Sequence, residues 1–248
     1  MAVNFINITE TDFLSKKVIY KYMPLEFALN SLKEKYLWFV NPAVWKDPFE
    51  KKFINAEYNN SGKNIEFPLK GRVFCTCMTQ TRTSEAYWNA YNGGQLGISF
   101  TFSREKLLEV LNDFSKKSDF EIYIGKVIYL HTPELKQKDL SAISVFKSDF
   151  KWNKETQLQL LLLKRIAFEY ENEIRIIAVK KYKTKEDGIK LPYTLKTNEL
   201  FKRVTLDPNI GKNLQDILVN HIHSEYDIKE VYKSTIYTIP KNQIIEIK

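Results

Sequence analysis

"EYENEIRIIA", Glu169 to Ala178, sets three carboxylates, Glu169, Glu171 and Glu173, at the mouth of an apolar run that continues through Val179. The alternation from Ile174 onward predicts a strand entered from a loop. Like charges at the mouth of a buried strand repel one another and lose hydration. Either they are solvated, or something cationic sits opposite them. On a strand, Glu169, Glu171 and Glu173 share one face and Arg175 continues it. A solvated edge carrying a Glu–Arg pair contributes little to stability. A carboxylate that meets a developing positive charge is a catalytic device.

Around this stretch the elements are mixed. "KKVIYKYM" (Lys16–Met23) predicts a strand, and Pro24 opens a helix whose apolar face is Leu25, Ala28, Leu29 and Leu32. "YLWFV" (Tyr36–Val40) reads as a buried strand, "NPAVWKDPFE" (Asn41–Glu50) as a turn-rich loop, and Asn55–Lys70 as an irregular insert. "GRVFCTCMTQ" (Gly71–Gln80) and "QLGISFTF" (Gln95–Phe102) read as strands flanking a short helix, "SEAYWNAY" (Ser84–Tyr91), that Gly93–Gly94 breaks. Ser103 caps a helix with Leu107, Leu108, Leu111 and Phe114 on its apolar face. "EIYIGKVIYL" (Glu121–Leu130) predicts a strand bulged at Gly125. A long helix follows, roughly Ser144 to Ala167, then the opening stretch. Leu200–Pro208, Ile228–Ser234 and Thr235–Pro240 close the chain as strands, with a helix at Lys212–Ile222. Without regular βαβ alternation, this order predicts an α+β fold, one domain spanning residues 1–248.

Composition narrows the function classes. The chain has 248 residues, 44% of them hydrophobic, with 14 Tyr and 16 Phe, which suffices for a packed core. No basic-then-apolar leader pattern opens it, and its longest apolar run, Leu158 to Lys164, is far too short to span a bilayer. Cys75 and Cys77 sit too close along one extended chain for an easy disulfide, and two thiols alone make no zinc site. The expectation is a reduced, cytoplasmic protein with no membrane association. A net charge of +8 suits anionic partners, yet six arginines against 32 lysines argue against sequence-specific base readout. There is no Gly-rich phosphate loop, no H-E-x-x-H and no G-x-S-x-G, and a helix places His221 and His223 apart, so no metal is expected.

Two aromatic segments complete the candidate set. In "YKY", Tyr20 and Tyr22 share a strand face and Lys21 points the other way. In "YWNAYNGG", Tyr87 and Tyr91 are helical neighbours with Trp88 beside them. Aromatics so spaced usually build a core. Here Asn89 and Asn92 interleave with them, and Tyr hydroxyls need partners when buried. A flat ring ligand among these side chains satisfies both the ring faces and the polar edges.

Taken in order, "YKY", "LWFVNP", "KDPFE", "FCTCMTQTRTSEAYWNAYNGGQLGISF", "FEYENEIRI" and "YKSTIY" resemble a bacterial family described only as domain of unknown function 2971. The resemblance covers nearly the whole chain, with Lys46 standing where that family usually has Asn. The family's layout is in turn similar to the ADP-ribosyltransferase class, in which a split mixed β-sheet with flanking helices surrounds an NAD cleft. That class carries His or Arg on the early strand, where this chain has "YKY". The resemblance implies transfer of ADP-ribose from NAD to a macromolecule, a nucleic acid or a protein, in a bacterial toxin or antiviral defence setting, with an antitoxin or defence partner. It implies Glu173, Glu171 and Arg175 as catalytic residues, with Glu173 stabilising the ribosyl cation. Tyr20, Lys21, Tyr22, Trp88 and Tyr91 would bind NAD. At an effective dielectric near 20, a carboxylate about 4 Å from that cation gains roughly 4 kcal/mol, about three orders of magnitude in rate. Two other readings stand beside it: a non-catalytic sensor of a nucleotide or phage component in the same cleft, and a basic RNA-binding module.

Overall fold

The computed structural model describes residues 3–60, 63–92, 94–135 and 153–238. Its strands are β1 (Asn4–Ile6), β2 (Val18–Pro24), β3 (Tyr36–Val40), β4 (Glu57–Asn60), β5 (Lys63–Glu66), β6 (Val73–Thr79) and β7 (Gly97–Ser103). The series continues with β8 (Phe120–Lys126), β9 (Ile128–Leu130), β10 (Leu163–Arg165), β11 (Glu173–Lys180), β12 (Gly188–Pro192), β13 (Phe201–Leu206) and β14 (Val231–Lys233). The helices are α1 (Glu10–Ser15), α2 (Leu25–Lys33), α3 (Lys52–Asn55), α4 (Glu85–Asn92), α5 (Arg104–Lys117), α6 (Lys154–Leu160), α7 (Thr197–Leu200) and α8 (Lys212–Tyr226). The fold is α+β: among the described residues, one mixed ten-stranded sheet is flanked by helices.

The sheet runs β1-β8-β11-β6-β2-β7-β13-β14, with β3 joining β6 and β12 joining β3. β2 pairs with β7 along seven residues but with β6 only at Tyr20–Thr79. β3 meets β6 only at Val40–Cys75. The sheet therefore splits at β6. Between the two contacts, Lys21 Nζ donates to the Cys77 carbonyl at 3.2 Å. One half-sheet is built on β11 and β6, the other on β2, β7 and β13.

Strand β11 shows why the opening stretch is buried. Ile174, Ile176 and Ala178 face the main core with Phe39, Phe74 and Ile122. Ile177 and Val179 face a second core under Leu160–Leu163, Phe53, Phe67 and Val73. Glu173 and Arg175 share that second face by the two-residue period. The leucine run that covers it, with the polar residues before it, was expected to belong to one long helix. Residues 144–152 lie outside the described residues, and the helix that follows ends at Leu160. Asn153 caps it, its Oδ1 accepting from Glu155 N at 3.0 Å. Leu160 to Leu163 are all buried. One helical face cannot bury four consecutive residues; a turn closed by Leu162 N donating to Gln159 O at 2.9 Å does.

Other expectations also shift. The strand Glu121–Leu130 breaks at Val127 into β8 and β9. Gly125 stays in register with Arg175 and is no bulge. A Cβ there would sit 2.5 Å from Leu162 Cδ1, so the glycine admits the leucine run. The insert at Asn55–Lys70 contains the β4–β5 hairpin. Thr235–Thr238 turns instead of extending, with Thr238 N bonded to Thr235 O, and residues 239–240 lie outside the described residues.

Helix α4 is pinned to the sheet by Asn92. Its Nδ2 donates to Asp207 Oδ2 at 3.1 Å, and Gly97 N donates to the same oxygen at 3.1 Å. A Cβ on Gly97 would fall 2.0 Å from Asn92 Nδ2. Gly97→Ala must displace that buried amide and leave Asp207 under-partnered. The expected cost is about 2 kcal/mol, read as a lowered urea midpoint. An unchanged midpoint would refute the pinning.

Candidate functional site

Glu169, Glu171 and Glu173 do not share a strand face. Ile166–Glu171 forms a 3-10 helix, and the strand begins only at Glu173. Between them Asn172 takes the left-handed conformation, φ 40° and ψ 54°, which Asn tolerates better than most residues. Glu169 is left exposed. Glu171 and Glu173 turn inward and are 3% and 2% exposed.

The cation opposite them is Lys164. Its Nζ lies 2.7 Å from Glu171 Oε2, 3.1 Å from Glu173 Oε2 and 3.1 Å from Glu50 Oε1. Arg175, fully buried, donates from Nε to Glu173 Oε1 at 2.7 Å and from Nη1 to the Leu161 carbonyl at 2.6 Å, and its Nη2 pairs with Glu50. Trp45 lies under its guanidinium, 4.4 Å from ring to Cζ. Lys164 and Glu50 were missed as site residues. The signals were a lone lysine closing the apolar run "LQLLLLK" and the acidic end of "KDPFE". Within that turn Asp47 Oδ1 accepts from Phe49 N at 2.9 Å, and its Oδ2 pairs with Arg165 at 3.1 Å.

The Glu171–Asn172 backbone is held from three sides. Thr79 Oγ1 donates to the Glu171 carbonyl at 2.7 Å, and the Tyr87 hydroxyl donates to the Tyr170 carbonyl at 2.8 Å. Gln80 donates from N to Asn172 O and from Nε2 to Asn172 Oδ1, both at 3.1 Å. Gln80 Oε1 accepts from Arg104 Nη2 at 3.0 Å. Arg104 is itself buried and bonds the carbonyls of Phe13 and Val18.

The two carboxylates differ in what they have left to offer. Glu173 is bound at both oxygens, by Arg175 and Lys164. Glu171 Oε2 accepts from Lys164 and, at 2.7 Å, from the Tyr91 hydroxyl. Its Oε1 has no hydrogen-bond partner among the described residues. Burial pushes both carboxyls up. For Glu173, Arg175 and Lys164 outweigh burial and hold it well below its ordinary value of 4.5. For Glu171, burial wins, with Glu173 adding to it against Lys164, and the pKa is raised. Burial lowers the Lys21 ammonium, opposed by Cys77 and Glu173.

Tyr20, Lys21, Tyr22 and Tyr91 line a small hollow together with Glu171 and Glu173, about 10 Å³ in volume, the space of one water. Trp88 stands one ring further out. Tyr22 stacks on Tyr87 with centroids 5.0 Å apart and meets Trp88 edge-on at 4.9 Å. Tyr20, Tyr22 and Trp88 border a second, open cavity of about 540 Å³. Among the described residues no group of His, Cys, Asp or Glu is arranged to hold a metal ion, and no helix is long and apolar enough to cross a membrane.

Residues 87–176 match the sequence profile of a family described as Protein of unknown function (DUF2971). This is the family the sequence motifs resemble, and the match contains Tyr91, Lys164, Glu171, Glu173 and Arg175. Among solved structures, Thermus sp. 2.9 DarT in complex with NAD+ is similar at 13% identity over 88% of this chain and 95% of that one, with a TM-score of 0.37. Thermus sp. 2.9 DarT in complex with ADP-ribosylated ssDNA is similar at 10% identity over 94% and 98%, with a TM-score of 0.39. Comparison with curated proteins gives no match.

The ion pairs make a stability prediction with a definite sign. Glu173 has a depressed folded-state pKa, so its stabilisation is complete above 4.5 and is lost as pH falls below that value. Glu171 has the opposite sign: its cost appears as pH rises through its ordinary value. Glu173→Gln removes the carboxylate that bonds both Arg175 and Lys164 and should destabilise by about 3–5 kcal/mol near neutral pH. Glu171→Gln should cost clearly less. The gap in melting temperature between wild type and Glu173→Gln should narrow from about pH 7 to about pH 3. A gap independent of pH would contradict the ionised assignment.

Proposed function

We propose that the chain is an ADP-ribosyltransferase-like enzyme, a single domain over residues 1–248, that takes ADP-ribose from NAD and passes it to a macromolecule. The observation that carries this reading is the unengaged Glu171 Oε1, beside an anionic Glu173 in a hollow walled by Tyr20, Tyr22 and Tyr91. Breaking the nicotinamide–ribose bond sends its electron pair out with nicotinamide and leaves a ribosyl cation. Glu171 Oε1 accepts from the neighbouring ribose hydroxyl and places negative charge beside that cation, an interaction that strengthens as charge develops. Lys164 and Tyr91 fix the carboxylate through its other oxygen. An acceptor oxygen or nitrogen then bonds to the ribose carbon, and Glu171 takes its proton, a transfer its raised pKa favours. Glu173 and Arg175 act as the scaffold that orients Lys164. Only the ribose edge has to enter the small hollow; the rest of NAD lies along Tyr20, Tyr22 and Trp88 in the larger cavity.

The charge of +8 suits a nucleic acid as acceptor. A toxin or antiviral effector, with an antitoxin or defence partner, is the setting this chemistry fits. One observation favours the sensor reading instead: every carboxylate of the cluster is already ion-paired, which weakens its pull on a new cation. Nicotinamide release and calorimetry with NAD separate the two. Wild type should bind NAD and release nicotinamide, and Glu171→Gln should lose at least about 100-fold in release with an unchanged circular dichroism spectrum. Release at the wild-type rate from a folded Glu171→Gln would remove Glu171 from the chemistry. NAD binding without any release would leave a sensor.

A further inference from the structure

The larger cavity has a floor that the carboxylate chemistry does not explain. On strands β2, β7 and β13, Tyr22 pairs with Ser99 and Ser99 with Thr205; Tyr20 pairs with Thr101 and Thr101 with Arg203. Two cross-strand rows of polar side chains thus lie side by side. The opposite face of the same strands is apolar, with Ile19, Phe100 and Val204 in the main core. Ser99 and Thr101 are only 3% and 6% exposed. The hydroxyls of Thr101 and Thr205 have no hydrogen-bond partner among the described residues. Both residues line the open cavity, so a ligand there can reach their hydroxyls.

The charges around this floor have one sign. Arg82, Arg203 and Lys233 line the cavity, and none of the described residues lining it is a carboxylate. Arg203 is steadied from behind by Glu230, whose Oε2 accepts from its Nε at 2.6 Å. Lys233 Nζ spends one proton on the Ile210 carbonyl at 2.8 Å and keeps two. Arg82 is exposed and has no ion pair among the described residues, while its carbonyl accepts from the Tyr22 hydroxyl at 2.9 Å, fixing its loop on the cavity wall. Trp88 and the half-exposed Tyr232 supply aromatic surface at the sides.

We propose that this cavity binds the diphosphate of a nucleotide, with Arg82, Arg203 and Lys233 on the phosphate oxygens, Thr101 and Thr205 beneath them, and the base against the aromatic side walls. Its volume of about 540 Å³ suits such a ligand. A free nucleotide and the ADP half of a dinucleotide present the same chemistry. The assignment does not depend on catalysis at Glu171.

Isothermal calorimetry on the full chain tests it with ADP, adenosine and NAD as probes. ADP should bind at least about tenfold more tightly than adenosine, since charge-assisted contacts to phosphate are the strong ones. Its affinity should fall with added KCl. Arg82→Gln and Lys233→Gln should each weaken ADP about tenfold, and Arg82→Lys should recover part of the loss. Arg82 is exposed, so its variants keep the fold. Equal binding of ADP and NAD supports the ADP half of a dinucleotide as the occupant, and ADP binding alone supports a free nucleotide. Adenosine binding as tightly as ADP, unweakened binding in both glutamine variants, or no binding of ADP or NAD would each overturn the proposal. Nicotinamide release is not the readout: NAD binding with adenosine as tight as ADP, or with both glutamine variants unweakened, would overturn this assignment and leave the proposed reaction standing.

Discussion

An ammonium group surrounded by three carboxylates in a water-poor interior can exist only if each partner is brought to it by a separate part of the chain. Lys164 arrives at the end of the leucine run, Glu50 from the turn after β3, Glu171 from the 3-10 helix and Glu173 from β11. Removing Lys164 leaves three buried carboxylates sharing Arg175 as their one remaining cation in the cluster. The second core is therefore organised around an electrostatic constraint as much as around Leu158–Leu163. Arg175 doubles the constraint by tying Glu173 and Glu50 together from the other side.

The two neighbouring carboxylates acquire different characters from this arrangement without any difference in exposure. Both are almost wholly buried, and burial disfavours the charge of each. What separates them is the count of cations: Glu173 has Lys164 and Arg175, Glu171 has Lys164 alone. A like-charged pair whose environments push the two members apart is a recurring basis for acid–base division of labour. Glu171 is the member with an oxygen to spare.

Much of the fold was legible in the sequence, for reasons visible in individual elements. Strands β2, β3, β6 and β7 and the helix capped by Ser103 announced themselves by periodicity and a cap. The aromatic cluster was legible because Tyr22, Tyr87 and Trp88 come from two segments with strong local patterns. The errors came where tertiary burial overruled local pattern. "LLLLK" reads as helix, but its four leucines are all buried only across a turn. "EYENE" reads as strand because alternation is blind to a left-handed Asn172 in its middle. Lys164 and Glu50 lay within stretches already flagged for other reasons, yet single-sequence patterning gives no measure of which distant charges meet.

The split in the sheet also has a mechanical side. Tyr20 and Tyr22 ride on the half built from β2, β7 and β13, while Glu171 and Glu173 are anchored to the half built from β6 and β11. Between β2 and β6 the ladder is reduced to one pair, Tyr20–Thr79, supplemented by one lysine bond to the Cys77 carbonyl, with side chains such as Arg104 bridging the rest. Such a seam is poorer in ladder hydrogen bonds than the strands on either side of it. A molecule that reaches from the aromatic side to the carboxylate side spans that seam and adds contacts where the ladder is sparse. Occupancy would then register as slowed amide exchange along both lips of the seam, at Lys21 and at Cys77, far more than in the strands behind them.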